Sequence, residues 1–349
     1  MAYTDIDRSS DYFNTKLYTG NGSTQSITGV GFQPDWLWIK SRSTTGNGRV
    51  HDVVRGVDKQ LYTSLTNAEF TYSPNTGVTS FDSDGFSLGN DIGQNQSSVT
   101  FASWNWLASN TTASNTDGSI TSTVSANTTS GFSIVSYTGT GSLATVGHGL
   151  GVTPKFMIIK NRDSGSENFC SYHVSLGATK TQKFTTSAAQ TLSSMWNNTE
   201  PTSSVFTIGT DGAVNVNGNK QIVYCFAEKK GFSKFGSYTG NGNADGTFVY
   251  TGFKPALVIM KNSSTATNWH IYDNKRTNNA SNPTDDILFA NSSSAESTDS
   301  SANPIDFLSN GFKCRGTNSA SNSSGNTFIY MAFAESPFVT STGIPATAR

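Results

Sequence analysis

The amino-acid sequence predicts an all-β protein of three tandem antiparallel β-sandwich repeats, similar to jelly rolls. One motif, an apolar run that follows Pro and ends in Lys, occurs three times, at 34–40, 154–160 and 255–261. Short alternating segments separated by Gly, Asn and Asp recur along the chain, and no amphipathic helical period is visible. Repeated strands with frequent turns are typical of sandwiches and jelly rolls.

The strand in each motif is apolar on both faces. In the first copy, Trp36 and Trp38 point to one side while Leu37 and Ile39 point to the other. A strand of this kind has to be covered on both sides. We therefore expect its second face to pack against a neighbouring repeat or another subunit, and its terminal Lys to lie in water.

The flanking segments set the domain boundaries, because each repeat opens with a strand ending in Tyr-Thr-Gly and closes with an aromatic-rich strand. The predicted organisation is an N-terminal arm 1–11, repeats 12–109, 131–229 and 231–336, a Ser/Thr/Asn-rich linker 110–130 and a C-terminal tail 337–349. The second and third repeats should be rigidly joined, with the first on a longer connection. The arm and the tail are candidate docking strands.

Composition argues against several classes of protein. Only 13% of residues are charged and the formal net charge is -1, so we expect no nucleic-acid partner and no binding to anionic lipid. No apolar run approaches the roughly 18 residues of a membrane span, and the first residues do not resemble a secretion signal. Aromatic residues make up 11%, too many for a disordered chain. A soluble, folded protein is expected.

No residues form a recognisable catalytic, cofactor-binding or metal-binding pattern. The three cysteines lack metal-type spacing, and buried free thiols are favoured over a Cys170–Cys225 bridge, with Cys314 left over. The four histidines have no common acidic or nucleophilic partner and are interpreted as structural or surface residues; they are His51, His148, His173 and His270.

Two groups of carboxylates remain as candidates for glycoside hydrolysis, which uses paired acids. Asp82 and Asp84 lie in an Asp-Ser-Asp-Gly segment that also resembles part of a calcium loop, but the later ligand positions of such a loop are missing. Glu228 and Glu335 each end a Phe-Ala-Glu segment. Turn-forming Asp and solvated Glu residues are the favoured interpretations.

Other recurrent positions have a structural and a binding interpretation. Tryptophans of the first repeat could stack on sugar rings, but core packing is favoured for Trp36, Trp38, Trp104 and Trp106. A recurrent Asn is interpreted as a turn residue, and five residues later stand Asp or His; these are Asn47, Asn168 and Asn268, followed by Asp52, His173 and Asp273. Basic residues after the Pro-to-Lys strands are interpreted as solvated ends: Lys40, Arg42, Lys160 and Arg162.

Three motifs in combination resemble a known family. They are the repeated Tyr-Thr-Gly-Asn-Gly, the stretch 146–155, and the ending Phe333-Ala334-Glu335-Ser336-Pro337-Phe338. Together they are similar to virion proteins of marine tailed bacteriophages, described as tail-fibre or receptor-binding proteins with a repeated domain of unknown function. The likeness spans 9–349. It implies a structural part of a phage virion, assembled in the bacterial host cytoplasm, and it carries no catalytic residue over to this chain.

The sequence and the resemblance lead to one functional expectation. The protein is expected to be a non-enzymatic virion structural protein of the tail or tail-fibre apparatus, with a role in host-surface attachment. Its expected partners are other virion proteins, a host cell-surface glycan or protein, and further copies of itself, with a trimer as the first expectation by analogy with phage fibres. The alternatives are a capsid-decorating protein, a surface-glycan depolymerase and a lectin-like glycan binder.

Overall fold

The computed structural model describes residues 3–276, 282–299 and 303–346. It is all-β, with 44% strand and 4% helix arranged in several antiparallel sheets, which confirms the predicted fold class. No helix in the described part of the chain is long and apolar enough to cross a membrane.

The first region, up to residue 109, forms two sheets. Its strands are β1 (Phe13–Thr19), β2 (Gln25–Thr28), β3 (Trp36–Ser41), β4 (Arg49–Asp52), β5 (Gly56–Tyr62), β6 (Phe70–Thr71), β7 (Val78–Asp82), β8 (Gly85–Leu88) and β9 (Thr100–Trp106). A 3-10 turn, Ser9–Asp11, precedes β1, and helix α1 (Ile92–Asn95) precedes β9. The large sheet has the order β1-β9-β3-β4-β5-β6 and the small one β2-β8-β7.

The second region, 110–229, has the same plan, with two additional strands in its large sheet and one fewer in its small sheet. Its elements are β10 (Ala113–Asn115), β11 (Ser122–Asn127), β12 (Phe132–Thr138), β13 (Ala144–Gly147), β14 (Phe156–Asn161), β15 (Cys170–His173), β16 (Lys180–Lys183), β17 (Gln190–Thr191), α2 (Ser193–Trp196), β18 (Val205–Ile208), α3 (Gly212–Asn215) and β19 (Lys220–Phe226). The large sheet has the order β10-β11-β12-β19-β14-β15-β16-β17, and β13 pairs with β18.

The third region, 231–337, again forms a large and a small sheet. Its strands are β20 (Ser233–Thr239), β21 (Phe248–Tyr250), β22 (Phe253–Asn262), β23 (His270–Asp273), β24 (Asp286–Phe289), β25 (Ser297–Thr298), β26 (Ile305–Leu308), β27 (Gly311–Cys314) and β28 (Thr327–Pro337). The sheet orders are β20-β28-β22-β23-β24-β25 and β21-β27-β26.

The segment 110–130, predicted as a linker, instead contains β10 and β11, so that part of the sequence interpretation is wrong. Strand β11 pairs antiparallel with β12, placing Val124 opposite Val135. Val124 is 7% exposed and belongs to the core of the second sandwich. Ser and Thr are common in loops, yet Thr and Val also suit a strand, and here the neighbouring edge supplies hydrogen-bond partners.

The second faces of the large sheets pack against one another in a single central core. That core joins Trp36 and Trp106 of the first region, Phe156 and Phe226 of the second, and Phe333 of the third. The opposite faces pack on the small sheets in three further hydrophobic cores, one in each region. The strands that are apolar on both faces are therefore covered by neighbouring regions of the same chain. This is the first of the two alternatives expected from the sequence, a neighbouring repeat or another subunit. The first region shares this core too, so its longer connection does not set it apart.

The arm and the tail pack on the body of the same chain. Tyr3 donates its hydroxyl to the Gly252 carbonyl at 2.8 Å, and the Phe338 amide donates to the same carbonyl at 3.3 Å. The Ser341 amide donates to Asp7 Oδ1 at 2.6 Å. The described parts of both candidate docking strands are thus held by contacts within the chain, and residues 1–2 and 347–349 lie outside the described residues.

Candidate functional site

The paired aspartates of the Asp-Ser-Asp-Gly segment bond to different groups. Ser87 donates its hydroxyl to Asp82 at 2.7 Å. Asp84 accepts the amides of Gly31 and Gly29 at 2.6 and 2.9 Å, and these bonds lower the pKa of its carboxyl. Stabilising a turn is the role that these contacts support for Asp84.

The glutamates of the two Phe-Ala-Glu segments are ion-paired at strand ends. Glu228 accepts Lys234 Nζ at 2.8 Å, and Glu335 lies 3.2 Å from Lys254 Nζ. Glu335 also accepts the Asn274 side-chain amide at 2.7 Å. Each carboxylate thus already has a local cation.

The histidines are all buried, which lowers the pKa of each below its ordinary value. Burial lowers the pKa of His51 to about 3 and that of His173 and His270 to about 4. The pKa of His148 is also lowered by burial, and its Nδ1 accepts the Leu150 amide at 3.2 Å. A general base works best with a pKa near the working pH, so these rings are poorly suited to that role at neutral pH.

The predictions for cysteines and tryptophans are confirmed. Cys170, Cys225 and Cys314 are free and buried, and burial raises the pKa of the Cys170 thiol to about 12 and that of Cys314 to about 11. The four tryptophans of the first region are at most 1% exposed and lie in the central core, where sugar rings cannot reach them; they are Trp36, Trp38, Trp104 and Trp106.

The lysines that close the Pro-to-Lys strands are buried, so the prediction of solvated ends is wrong for them. Lys40, Lys160 and Lys261 are each 0% exposed, and burial lowers the pKa of each to about 8. Their Nζ atoms donate to backbone carbonyls, which offsets part of the cost of removing an ammonium from water.

Each of these ammonium groups donates a hydrogen bond to a loop of another region. The order is cyclic: the first region binds the third, the second binds the first, and the third binds the second. Lys40 donates to the Ser292 carbonyl of the third region at 2.7 Å. Lys160 donates to the Thr66 carbonyl of the first region at 2.9 Å, and Lys261 to the Thr186 carbonyl of the second at 3.2 Å. The three lysines therefore join every pair of regions.

The aligned Asp, His and Asp positions make a second cyclic set of contacts. Asp52 accepts the hydroxyl of Tyr224 at 2.8 Å, and Asp273 accepts the indole N–H of Trp104 at 2.9 Å. His173 Nε2 lies 3.1 Å from the carbonyl of Tyr330. Each residue thus bonds to a different neighbouring region, and all three are at most 1% exposed.

An ion network extends from each of the two aspartates. Arg55 lies 2.5 Å from Asp52 and 3.1 Å from Glu69, and Glu69 also binds Arg162 of the second region at 2.7 Å. The same chain of charges runs from the third region to the first, through Asp273, Arg276, Glu296 and Arg42. The basic residues Arg42 and Arg162 are therefore interface residues, not solvated strand ends.

The third boundary between regions has uncharged residues at the positions of this network. The Ala189 amide donates to the Ser263 carbonyl at 2.9 Å, as the Glu69 amide does to that of Arg162 at 2.6 Å. By this register, Ala and Ser replace Glu and Arg there, and Leu176, three residues after His173, replaces the other arginine. An incomplete buried network is costly, and here none of the four positions carries a charged residue that would be left without its partners.

One buried polar cluster of the first region differs from the corresponding part of the second region, and we treat it as a candidate binding site. The Tyr72 hydroxyl lies 2.7 Å from Gln60 Oε1 and 2.9 Å from Asp91 Oδ2, and Gln94 donates to it at 3.3 Å. His51 lies against the Tyr72 ring at 6.4 Å. At the positions of His51 and Gln94 the second region has Tyr172 and Val214, which are buried in its apolar core.

A surface cavity of about 380 Å³ adjoins this cluster. Tyr72, Asp58 and Asn75 are among the residues that line it, and Phe70, 48% exposed, lies 4.9 Å from the Tyr72 ring. An apolar wall with a few polar groups suits a small ligand such as a sugar. Nothing in the sequence pointed to this site, since its residues come from four separate segments. A buried polar residue indicates a possible site only when the residues at the same position of the other regions are known.

A family model described as Domain of unknown function (DUF7483) matches residues 8–337. The match runs from just before the first 3-10 turn to the end of β28, and so includes all three large sheets. No curated protein matches the chain. The protein belongs to this family, the domain of unknown function DUF7483.

Proposed function

We propose that the protein is a non-enzymatic structural component of a phage virion, in the tail or tail-fibre apparatus, where it takes part in attachment to the host surface. The observation that supports this most is that buried polar side chains form hydrogen bonds between the three regions. Buried groups such as Asp52, Tyr224 and Lys160 bond from one region to another. A body stiffened in this way suits a particle component that bears load.

The virion location rests on the resemblance to tail-fibre and receptor-binding proteins of marine phages. The expectation of a trimer rests on analogy with phage fibres, since the apolar faces that would favour self-association are buried inside one chain. Other virion proteins and a host surface molecule remain the proposed partners, and a capsid-decorating role is the main rival.

Labelling of intact particles tests the location. A gold-labelled antibody raised against the purified chain should mark the tails of phage particles that carry it. Gold on the capsid faces would support the capsid-decorating role, and particles without label would contradict the proposal. Purified chain should also compete with phage for adsorption to host cells, and unchanged adsorption at saturating chain would remove the attachment role.

A glycan-binding role is the second candidate, favoured by the cavity beside Tyr72. A glycan array with labelled protein tests it, with Phe70→Ala as the site variant and Phe248→Ala as the matched control, because Phe248 is 44% exposed in the third region. Binding that is lost only in Phe70→Ala would support a lectin-like function. Release of reducing sugar from host polysaccharide, abolished by Asp82→Asn or Asp84→Asn, would instead favour a depolymerase.

A further inference from the structure

The opening strands of the three large sheets differ in how many neighbours they have. β12 lies between β19 and β11, whereas β1 and β20 are the end strands of their sheets. Trp106 pairs with both Phe13 and Trp36, and Phe226 pairs with both Phe132 and Phe156. The edge of β1 is therefore the counterpart of the edge that β11 covers in the second region.

Strand β11 closes the open side of the second sandwich. It pairs along β12, with Ser125 opposite Ile134 and Val124 opposite Val135. The Ser122 hydroxyl also donates to the Gly147 carbonyl of the small sheet at 2.8 Å. One short uncharged strand thus binds the large sheet by its backbone and the small sheet by a side chain.

The corresponding place in the first region is a cavity of about 280 Å³. It lies along β1 and is lined by Asn14, Thr15, Lys16, Leu17, Gly29 and Lys275. Gly29 directly follows β2, as His148 follows β13, so the cavity spans the same two sheets that β11 joins. No strand from the described residues occupies it.

The edge of β1 offers hydrogen-bonding groups to this cavity. The Leu107 amide donates to the Tyr12 carbonyl at 3.0 Å and the Gly20 amide to the Val99 carbonyl at 2.8 Å, so even-numbered residues of β1 face β9. The peptide groups of odd-numbered residues, including Thr15, therefore point outward. The Thr15 hydroxyl is also buried without a hydrogen-bond partner, in a residue 5% exposed.

The equivalent edge in the third region is partly covered by the arm. Thr4 donates its hydroxyl to the Lys230 carbonyl at 2.9 Å, and Tyr3 donates to the Gly252 carbonyl. Tyr3 and Lys234 of β20 both line the smaller cavity, about 150 Å³, that remains there. Among the described residues, a strand thus covers this position in the second region and the arm covers part of it in the third, whereas no segment covers it in the first.

The charge of the open position differs from that of the filled one. In the register of the two sheets, Lys16 stands where the second region has the buried Val135, and Lys275 adds a second cation. Neither lysine has an ion pair within 4.0 Å in the described part of the chain. The nearby Asp84 is occupied by two backbone amides, and Glu335, at the other end, is paired with Lys254.

We propose that the edge of β1 accepts an extended segment of a partner protein, paired antiparallel to β1 as β11 is to β12, with a carboxylate opposite Lys16. Backbone hydrogen bonds would supply most of the affinity, and the carboxylate would select the partner. This inference does not depend on whether the protein is a virion component.

Peptides copied from the chain's own filling strand test the proposal on the full-length protein. The probe is residues 118–128 with Val124→Glu, because Val124 faces the counterpart of Lys16. By isothermal titration calorimetry, we expect this peptide to bind at least tenfold more tightly than the unaltered peptide. Lys16→Glu in the protein should remove that advantage and favour a Val124→Lys peptide, while Lys180→Glu, an exposed remote control, should change nothing.

N-methylated peptides separate strand pairing from simple charge attraction. Methylation of the Ser125 amide, which faces the receiving edge, should abolish binding, whereas methylation of the Val124 amide should leave it within about twofold. Equal effects of the two methylations, or no binding of any peptide, would overturn the proposal. A concentration-dependent dimer that disappears in Lys16→Glu would overturn it as well, by making a second copy the occupant.

Discussion

Tyr224, on β19 of the second region, donates its hydroxyl to Oδ2 of Asp52, on β4 of the first region, at 2.8 Å. The same oxygen accepts Arg55 Nε at 2.5 Å, so a buried carboxylate is satisfied by groups from two regions. A side chain of one sheet is therefore needed to complete the hydrogen bonding of another.

Removing either partner of this bond should destabilise the whole chain. Tyr224→Phe should cost about 1–3 kcal/mol, because it leaves a buried charged acceptor short of one donor. Asp52→Ala should cost about 3–5 kcal/mol, because it leaves Arg55 buried without its closest anion. The double variant should cost less than the sum, as measured by guanidinium denaturation. Tyr62→Phe is the control, expected within about 0.5 kcal/mol of the parent.

The neutral boundary of the second and third regions suggests an exchange experiment. Glu69→Ala alone should cost about 1–3 kcal/mol, since it removes the carboxylate that joins the buried Arg55 to Arg162. The fourfold change Asp52→His, Arg55→Leu, Glu69→Ala and Arg162→Ser copies the neutral set and should recover most of that loss. Unfolding free energies of the two proteins decide the matter; a fourfold variant less stable than Glu69→Ala would show that the two boundaries are not interchangeable.

The buried lysines should stabilise the loops that they cap. Lys160 donates to three carbonyls, of Thr66, Ser164 and Glu167. Hydrogen bonds to a charged group contribute about 1.5–3 kcal/mol each, so the three together contribute about 4.5–9 kcal/mol. This sum exceeds the roughly 3 kcal/mol that a pKa lowered to about 8 implies for burial. Lys160→Met should therefore lower the unfolding free energy by about 2–4 kcal/mol. The exposed Lys180→Met should have no measurable effect.

Stability should fall in mild acid because of the buried histidines. In the unfolded chain a histidine takes up a proton near pH 6.5, whereas burial lowers the pKa of His51 to about 3 and that of His173 and His270 to about 4. The unfolded state thus binds more protons between about pH 6.5 and 4, so the stabilisation present above pH 6.5 is lost as the pH falls through this window.

Unfolding free energy measured across that range should show an uptake of up to about four protons on unfolding, one for each buried histidine. His173→Gln should reduce the uptake by about one proton, because Gln does not titrate, whatever its effect on overall stability. An unchanged slope in His173→Gln would mean that this ring is already protonated in the folded protein.

The strand pattern and the core were predictable because burial follows from residue type. The Pro-to-Lys runs became β3, β14 and part of β22, and their double apolar faces required a second covering layer, which the neighbouring regions provide. The free cysteines and buried tryptophans followed from the same reasoning. The strand β11 was missed because its Ser and Thr residues are equally common in loops, and only the adjoining edge of β12 decides the matter.

The contacts between regions could not be derived, because they depend on which loop meets which strand end. The alignment of Asp52, His173 and Asp273 was visible in the sequence, but their partners lie more than 150 residues away along the chain. A usable signal was present three residues later, where Arg55 and Arg276 follow the two aspartates while Leu176 follows the histidine. Different residues at both positions of a pair indicate that the two residues interact. The prediction that Lys160 lies in water was wrong for the same reason as the missed contacts, since its partner carbonyl, that of Thr66, belongs to another region.

Differential scanning calorimetry of the intact chain tests most directly whether the three large sheets form one body around a shared core. One transition, with a calorimetric enthalpy close to the van't Hoff enthalpy, is expected, and Tyr224→Phe should move that whole transition to lower temperature. Two or three separable transitions, with only one shifted by Tyr224→Phe, would contradict the shared core.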